Sequence, residues 1–169
     1  RQMFENARRD GLTGCYNKRY FMERLHSEIS YAMRHKVPLT LIMMDLDHFK
    51  SVNDTYGHLT GDEVLRELAR RIHNTLRSED VFARYGGEEF TVIARGISHE
   101  GGLALGERLR SVVVSDPFRY EQLSLPITIS IGVASIPHVR ISSPIHLLEL
   151  ADKALYEAKN GGRNRVVSA

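Results

Sequence analysis

Two pairs of acidic residues stand where a fold without a polar site would place few of them. Asp45 and Asp47 close a nearly continuous apolar run, Leu39 to Leu46 (LTLIMMDL), which has the length of a strand buried on both faces. Glu88 and Glu89 follow Gly86-Gly87 between two short strand-like runs, Val81 to Tyr85 and Phe90 to Ala94. That arrangement reads as a β-hairpin carrying the glutamates in its turn. If the hairpin pairs beside the Leu39 run, Asp45 and one of the glutamates converge. Roughly two or three oxygen ligands beside an open groove suit Mg2+, which keeps several waters and completes its shell from phosphates. Asp45 and Asp47 are read as turned to opposite faces of the strand, so that at most one serves a given site. Asp47 by itself is read as a solvated acid in a turn. The combination of Asp45 with Glu88 is harder to explain that way, because acids are rarely buried without a partner.

Other phosphate and metal patterns fail. Gly57-His58-Leu59-Thr60-Gly61-Asp62 lacks the Lys-Ser/Thr of a P-loop, and no GxGxxG joins a strand to a helix. His99-Glu100 is followed by Gly-Gly-Leu, so the HExxH zinc pattern is absent. A calcium loop starting at Asp45 would need Glu at its twelfth position, where Tyr56 stands. The eight histidines show no ligand spacing. The single cysteine excludes an internal disulfide and a Cys-rich zinc site. Cys15 is read as a small, partly buried apolar residue, and a reducing cytoplasm is the natural compartment.

These side chains need elements to hold them. Asn17 can cap a helix whose apolar positions are Phe21, Leu25, Ile29, Ala32 and Met33, ended by Pro38. A second amphipathic helix is expected from about Thr60 to Leu76, with Val64, Leu65, Leu68, Ala69, Ile72 and Leu76 inward. A third runs from about Gly102 to Val114, followed by a strand over Ile127 to Ser135. Ser143-Pro144 opens a helix carrying Ile145, Leu148, Ala151, Leu155 and Ala158, which Gly161-Gly162 stops. Arg165 to Val167 reads as a short edge strand. This order, with a hairpin in its middle, predicts an α/β (α+β) fold with a central mixed sheet covered by helices.

The chain has 169 residues, 42% apolar and 26% charged, which is one ordinary domain. Lys and Arg exceed Asp and Glu by only 23 − 21 = 2, which argues against a bulk nucleic-acid binder. No apolar run reaches the ~18–20 residues of a membrane-spanning helix. Residues 1–9 (RQMFENARR) read as the end of a polar linker helix arriving from an upstream segment, which leaves 10–169 as the domain.

The motifs taken together are similar to those of the GGDEF domains, the diguanylate cyclase family of bacterial signalling proteins. Tyr85-Gly86-Gly87-Glu88-Glu89-Phe90 resembles the active-type signature, preceded by Arg84 as is usual. Asp10-Gly11-Leu12-Thr13 with Asn17-Lys18-Arg19 resembles the opening DxLT…NRR element. Asp45-Leu46-Asp47-His48-Phe49-Lys50 resembles the DxDxFK strand end. Asn53-Asp54 with Gly57-His58 and Gly61-Asp62 resembles the NDxxGHxxGD loop, and Ala158-Lys159 with Arg163-Asn164 the closing AKxxGRN. The likeness runs from Asp10 to about Val167, in order.

That resemblance implies a palm-like nucleotide cyclase fold and the condensation of two GTP into cyclic di-GMP with loss of two pyrophosphates. It implies Mg2+, for which Mn2+ can substitute, a homodimer for catalysis, and a sensory or regulatory segment upstream. The domain would be cytoplasmic, even where the full-length protein is anchored to a membrane. By the same resemblance Asp45 and Glu88 ligate the metal with the backbone carbonyl of Leu46. Glu89 serves a second metal or acts as base at the attacking hydroxyl, although sequence does not separate the two glutamates. Backbone N–H groups around Phe49 and Lys50, with Lys159 and Arg163 taken as one helical turn apart, meet the triphosphate. Gly86 and Gly87 leave room for the nucleotide, besides forming a turn. Asp62 with Asn53 reads guanine, whose N1–H and N2–H2 donors face an acceptor carboxylate. Relatives that make mixed GMP–AMP dinucleotides carry a small polar residue in place of this acid.

Arg77-Ser78-Glu79-Asp80 alone is a common exposed ion-pair pattern. Its placement just before the hairpin resembles the inhibitory product site of the family, to which Arg108 on the following helix would add a further arginine. Feedback inhibition by cyclic di-GMP is the implied consequence. The competing reading is a degenerate domain that binds GTP or cyclic di-GMP without turnover. Such domains lose the signature acids, whereas Asp45, Asp62, Glu88 and Glu89 are all present here, as is Asn53.

Overall fold

The computed structural model describes residues 7–138 and 141–169. Its elements are α1 (Lys18–His35), β1 (Leu39–Leu46), α2 (Phe49–Tyr56), α3 (His58–Thr75), β2 (Val81–Arg84), β3 (Glu89–Arg95), α4 (His99–Val114), β4 (Phe118–Tyr120), β5 (Leu123–Leu125), β6 (Ile129–Ile136), α5 (Pro144–Asn160) and β7 (Val166–Ser168). Five strands form one sheet in the order β2-β3-β1-β6-β7, antiparallel except for the parallel β6–β7 pair. The sheet is therefore mixed, as the element order predicts. β4 and β5 pair separately as a small ribbon, which sequence patterning does not reveal.

β1 is buried along its whole length. Its alternation divides two cores: Leu39, Leu41 and Met43 pack with α1 and α5, while Ile42, Met44 and Leu46 pack with α3 and α4. Each such side chain contributes about 1.5–3 kcal/mol on leaving water, so this strand anchors both layers. Caps then set the helix ends. The Asn17 side chain accepts from the Tyr20 N–H at 3.0 Å, and α1 closes on Lys36 in the left-handed region. Pro144 opens α5 as expected, but the Ser143 hydroxyl makes no cap and is buried without a partner among the described residues.

Several expectations need correction. Met33 and Ile145 are each 51% exposed, and the inward places go to Glu28 on α1 and Leu147 on α5. Glu28 is tolerated there because Arg95 donates to its two carboxylate oxygens at 2.6 and 2.5 Å and Arg24 adds a contact at 3.2 Å. Those bonds, Arg95 first, hold its carboxyl below the usual range. Residues 49–56 form a helix of their own, with only Val52 buried, so no apolar stripe announced it. α4 begins at His99, three residues before its expected start, because Ser98 caps the Gly101 N–H. The linker helix expected over residues 1–9 lies outside the described residues for 1–6, while Ala7 and Arg8 are helical.

One glycine fixes how α5 lies on the sheet. A β-carbon on Gly132 of β6 would come within 2.3 Å of the Ala151 carbonyl oxygen and the Leu155 nitrogen. The α5 backbone therefore rests directly on β6, and its last turn is carried to the end of β1.

Candidate active site

Three pieces of chain meet where β1 ends. The β1–β3 register sets Asp45 directly opposite Glu89, and directly opposed residues of an antiparallel pair share a face. The Leu46 N–H donates to the Glu88 carbonyl at 3.3 Å, which ties the hairpin turn to the strand end. From α5, the Lys159 ammonium donates to Asp45 Oδ2. The expected convergence of Asp45 with one of the glutamates is present, and that glutamate is Glu89.

The electrostatics follow from crowding. Burial, then the Asp45 charge, raises both Glu88 and Glu89 above the usual carboxylate range. Burial raises Asp45 too, against the pull of Lys159. For Lys159, burial alone would lower the ammonium, but its bond to Asp45 and the charges of Glu89 and Glu88 hold it above its ordinary value. Among the described residues, no group of three or more His, Cys, Asp or Glu side chains is gathered to hold a metal ion. The site offers a few mutually repelling carboxylates, hard oxygen donors beside a cation. That donor chemistry fits Mg2+, which takes one or two carboxylates and completes its shell from water and phosphate.

Asp47 departs from both expectations. Residues two apart on a pleated strand share a face, so the reading of Asp45 and Asp47 as opposed does not hold. Asp47 is also 6% exposed, not solvated. Its carboxylate accepts from Ser130 Oγ at 2.6 Å, Thr128 Oγ1 at 2.7 Å and the Asn164 N–H at 3.0 Å. Arg163 is corrected as well: α5 stops at Asn160, and Arg163 stands in the following turn with φ +64° rather than one helical turn from Lys159. Its charge still acts on Asp45.

Phe49 and Lys50 open α2 immediately beyond the strand end. Asn53 on α2 and Asp62 on α3 belong to the packed α2–α3 pair, and Gly61 makes that packing possible. A β-carbon on Gly61 would lie 1.9 Å from Asn53 Oδ1, and that oxygen is buried without a partner among the described residues. An unpartnered buried acceptor is costly unless something supplies a donor. His58 is exposed at the start of α3.

Gly86 and Gly87 have no internal reason to be glycine. Neither has a positive φ; a β-carbon at Gly86 would make only ordinary contact at 3.7 Å, and one at Gly87 meets nothing within 4 Å. The turn itself does not need them. What sequence reading missed is the brace beneath. Arg84 donates to the carbonyls of Gly86 (3.2 Å) and Gly87 (2.7 Å) and to both carboxylate oxygens of Asp10 at 3.2 Å. No local pattern announces a contact between residues so far apart in the chain.

Arg77 and Asp80 are bonded to each other: Arg77 Nη2 donates to Asp80 Oδ1 at 2.9 Å, and the Arg77 N–H to Oδ2 at 2.8 Å. Both line a cavity of about 850 Å3 that also takes in Arg24, Arg66, Arg70 and Arg95. Arg108 is exposed on α4 and lies outside that lining. α4 packs inward through Leu105 and Leu109.

Comparison with known proteins adds a family match. The family model described as "Diguanylate cyclase, GGDEF domain" matches residues 7–165. Diguanylate cyclase A of Treponema denticola is 42% identical over 169 residues, covering 98% of this chain and 45% of that protein. The response regulator PleD of Caulobacter vibrioides is 42% identical over 165 residues, covering 96% and 36%. The chain thus spans less than half the length of these curated relatives. Among solved structures, the coiled coil and GGDEF domain of DgcB from Caulobacter crescentus, in complex with c-di-GMP, matches with a TM-score of 0.92 at 34% identity, over 99% of this chain and 88% of that one. The active GGEEF domain of a diguanylate cyclase from Vibrio cholerae matches with a TM-score of 0.85 at 34% identity, over 91% and 96%.

Proposed function

The chain belongs to the GGDEF family of diguanylate cyclase domains, and from that premise we propose that it joins two GTP into cyclic di-GMP with release of two pyrophosphates. The observation that carries this reading is Asp45 set opposite Glu89, with Glu88 beside it and Lys159 bonded to Asp45. In each step a ribose 3′-oxygen attacks an α-phosphorus, the bond to pyrophosphate breaks, and the 3′ proton passes to a carboxylate. Glu89 takes that proton, and Asp45 and Glu88, with the Leu46 carbonyl, would hold Mg2+. Bound there, Mg2+ supplies positive charge at the reacting phosphate, the main requirement of phosphoryl transfer. Lys159 and Arg163 neutralise the triphosphate, which the N–H groups around Phe49 and Lys50 also meet. Gly86 and Gly87 admit the nucleotide, and Asn53 with Asp62 binds guanine.

One such domain holds one GTP, so two copies must meet around a two-fold axis. GTP is the nucleotide of the cytoplasm, and we place the domain there, below an upstream sensory or regulatory segment. Among the described residues no helix is long and apolar enough to cross a membrane. The test is incubation with GTP and Mg2+ over a range of protein concentrations, with products identified by mass. Cyclic di-GMP rising faster than linearly with protein is expected. Absence of product from a chain that binds GTP and has been forced to dimerise would overturn the reading in favour of a binding module.

We further propose that cyclic di-GMP inhibits through Arg77 and Asp80. An arginine fork on guanine O6 and N7 contributes about 1–3 kcal/mol of recognition. Arg77→Ala should therefore weaken inhibition about tenfold or more, read from initial rates against added cyclic di-GMP. Equal inhibition of both proteins would exclude this site.

A further inference from the structure

Asp47 is a buried carboxylate that the reaction above does not use. It shares the α5 face of the sheet with Asp45, two residues away, yet it turns its oxygens to β6 and to the chain beyond α5. Its own N–H donates to the Thr128 carbonyl at 3.0 Å, so both backbone and side chain are fastened. Of its contacts, the one to the Asn164 N–H reaches across 117 residues to the turn after α5.

That turn is unusual. Gly162, Arg163 and Asn164 stand consecutively at φ +121°, +64° and +45°. Two successive side-chain-bearing residues in the left-handed region persist only where surrounding contacts hold them. Among the holding contacts are the Arg163 N–H to the Ala158 carbonyl at 3.0 Å, Arg165 Nε to the Arg163 carbonyl at 3.1 Å, Arg110 to the Asn164 side chain at 2.8 Å, and the Asn164 N–H to Asp47. Of these, only the last ties the turn to the strand end that carries Asp45.

We propose that Asp47 is a positioning residue for the polyphosphate of the nucleotide: by gripping the Asn164 N–H it keeps the 161–164 turn against the end of β1 and Arg163 aimed at the site. This rests on the reading of the site as one for GTP. The Asp47 carboxylate touches no substrate; its effect passes through Arg163. A nucleotide lacking the outer phosphates does not depend on it.

The experiment measures binding of a non-hydrolysable GTP analogue with Mg2+, and of GMP, to the unsubstituted chain, Asp47→Ala, Arg163→Ala and the double variant. One charge-assisted phosphate contact corresponds to about tenfold in affinity. Asp47→Ala should weaken the analogue roughly that much and leave GMP within about twofold. The loss should vanish when Arg163 is already Ala. Asp47→Asn should recover most of it, because the amide oxygen can accept from Asn164 while the amide nitrogen donates to Ser130. An equal loss with and without Arg163, or GMP falling in parallel, overturns the proposal. If Asp47→Ala does not fold, hydrogen exchange of the unsubstituted chain decides: the Asn164 amide should be protected like the amides of β6, and exchange at the rate of open chain overturns the anchor. Failure of the unsubstituted chain to bind the analogue at all would overturn the GTP reading itself, and the positioning role with it.

Discussion

Glu88→Gln should abolish cyclic di-GMP formation, by about a thousandfold or more, while leaving the fold and GTP binding nearly intact. Metal-assisted charge stabilisation contributes several kcal/mol to a displacement at phosphorus, and each 1.36 kcal/mol is tenfold in rate. Gln keeps the length and one oxygen of Glu88 but removes the negative charge that draws a cation into the crowded cluster. The substitution spares the structural role of the residue, because it is the backbone carbonyl of Glu88 that accepts from Leu46. Among the described residues no side-chain hydrogen bond fastens Glu88, and removing its charge relieves repulsion from Asp45 rather than adding to it. Unchanged thermal unfolding with lost turnover would separate chemistry from stability. Product formation near that of the unsubstituted chain would refute Glu88 as a metal ligand.

Asp62→Ser should narrow the preference for GTP over ATP by about a hundredfold or more. A site built to hydrogen-bond a substrate rejects an analogue lacking the donors by about 10⁴–10⁵, so removing part of that arrangement leaves much to lose. Guanine presents N1–H and N2–H2 donors to a carboxylate; adenine presents the N1 lone pair and would be repelled. The bland explanation of Asp62, an acid at a helix N-terminus favoured by the dipole, does not apply. α3 begins at His58 and carries no acid in its first turn, and the dipole effect fades beyond that turn. Asn53 Oδ1, packed against Gly61 next to Asp62 in the chain, is buried without a partner among the described residues. Products from equimolar GTP and ATP, counted by mass, measure the change. A GTP preference equal to that of the unsubstituted chain would refute the reading role.

Local signals carried much of this architecture. The bounds of β1 coincide with the apolar run read from sequence, because a strand buried on both faces needs an unbroken hydrophobic stretch. The Asn17 cap, Pro144 in the first turn of α5 and the hairpin around Gly86-Gly87 were equally legible, since each is decided within a few residues. The order of motifs identified the family. α2 was not legible, because one buried valine in eight residues gives no periodicity. Met33 and Ile145 fit a helical pattern, yet what a helix packs against decides which edge of its stripe is covered.

The chain by itself therefore determined the chemistry available: carboxylates, the cations of Lys159 and Arg163, and elements of the right kind to carry them. Only the tertiary structure decided which of those groups meet. Strand order sets Asp45 against Glu89; the missing side chain of Gly132 brings α5 and Lys159 to the same point; three donors from elsewhere turn Asp47 from a solvated acid into a buried anchor. Arg163 leaves the helix for the same reason. Propensity and capping act over one turn or one strand, whereas convergence across more than a hundred residues is settled by sheet pairing and packing, which no short window of sequence contains.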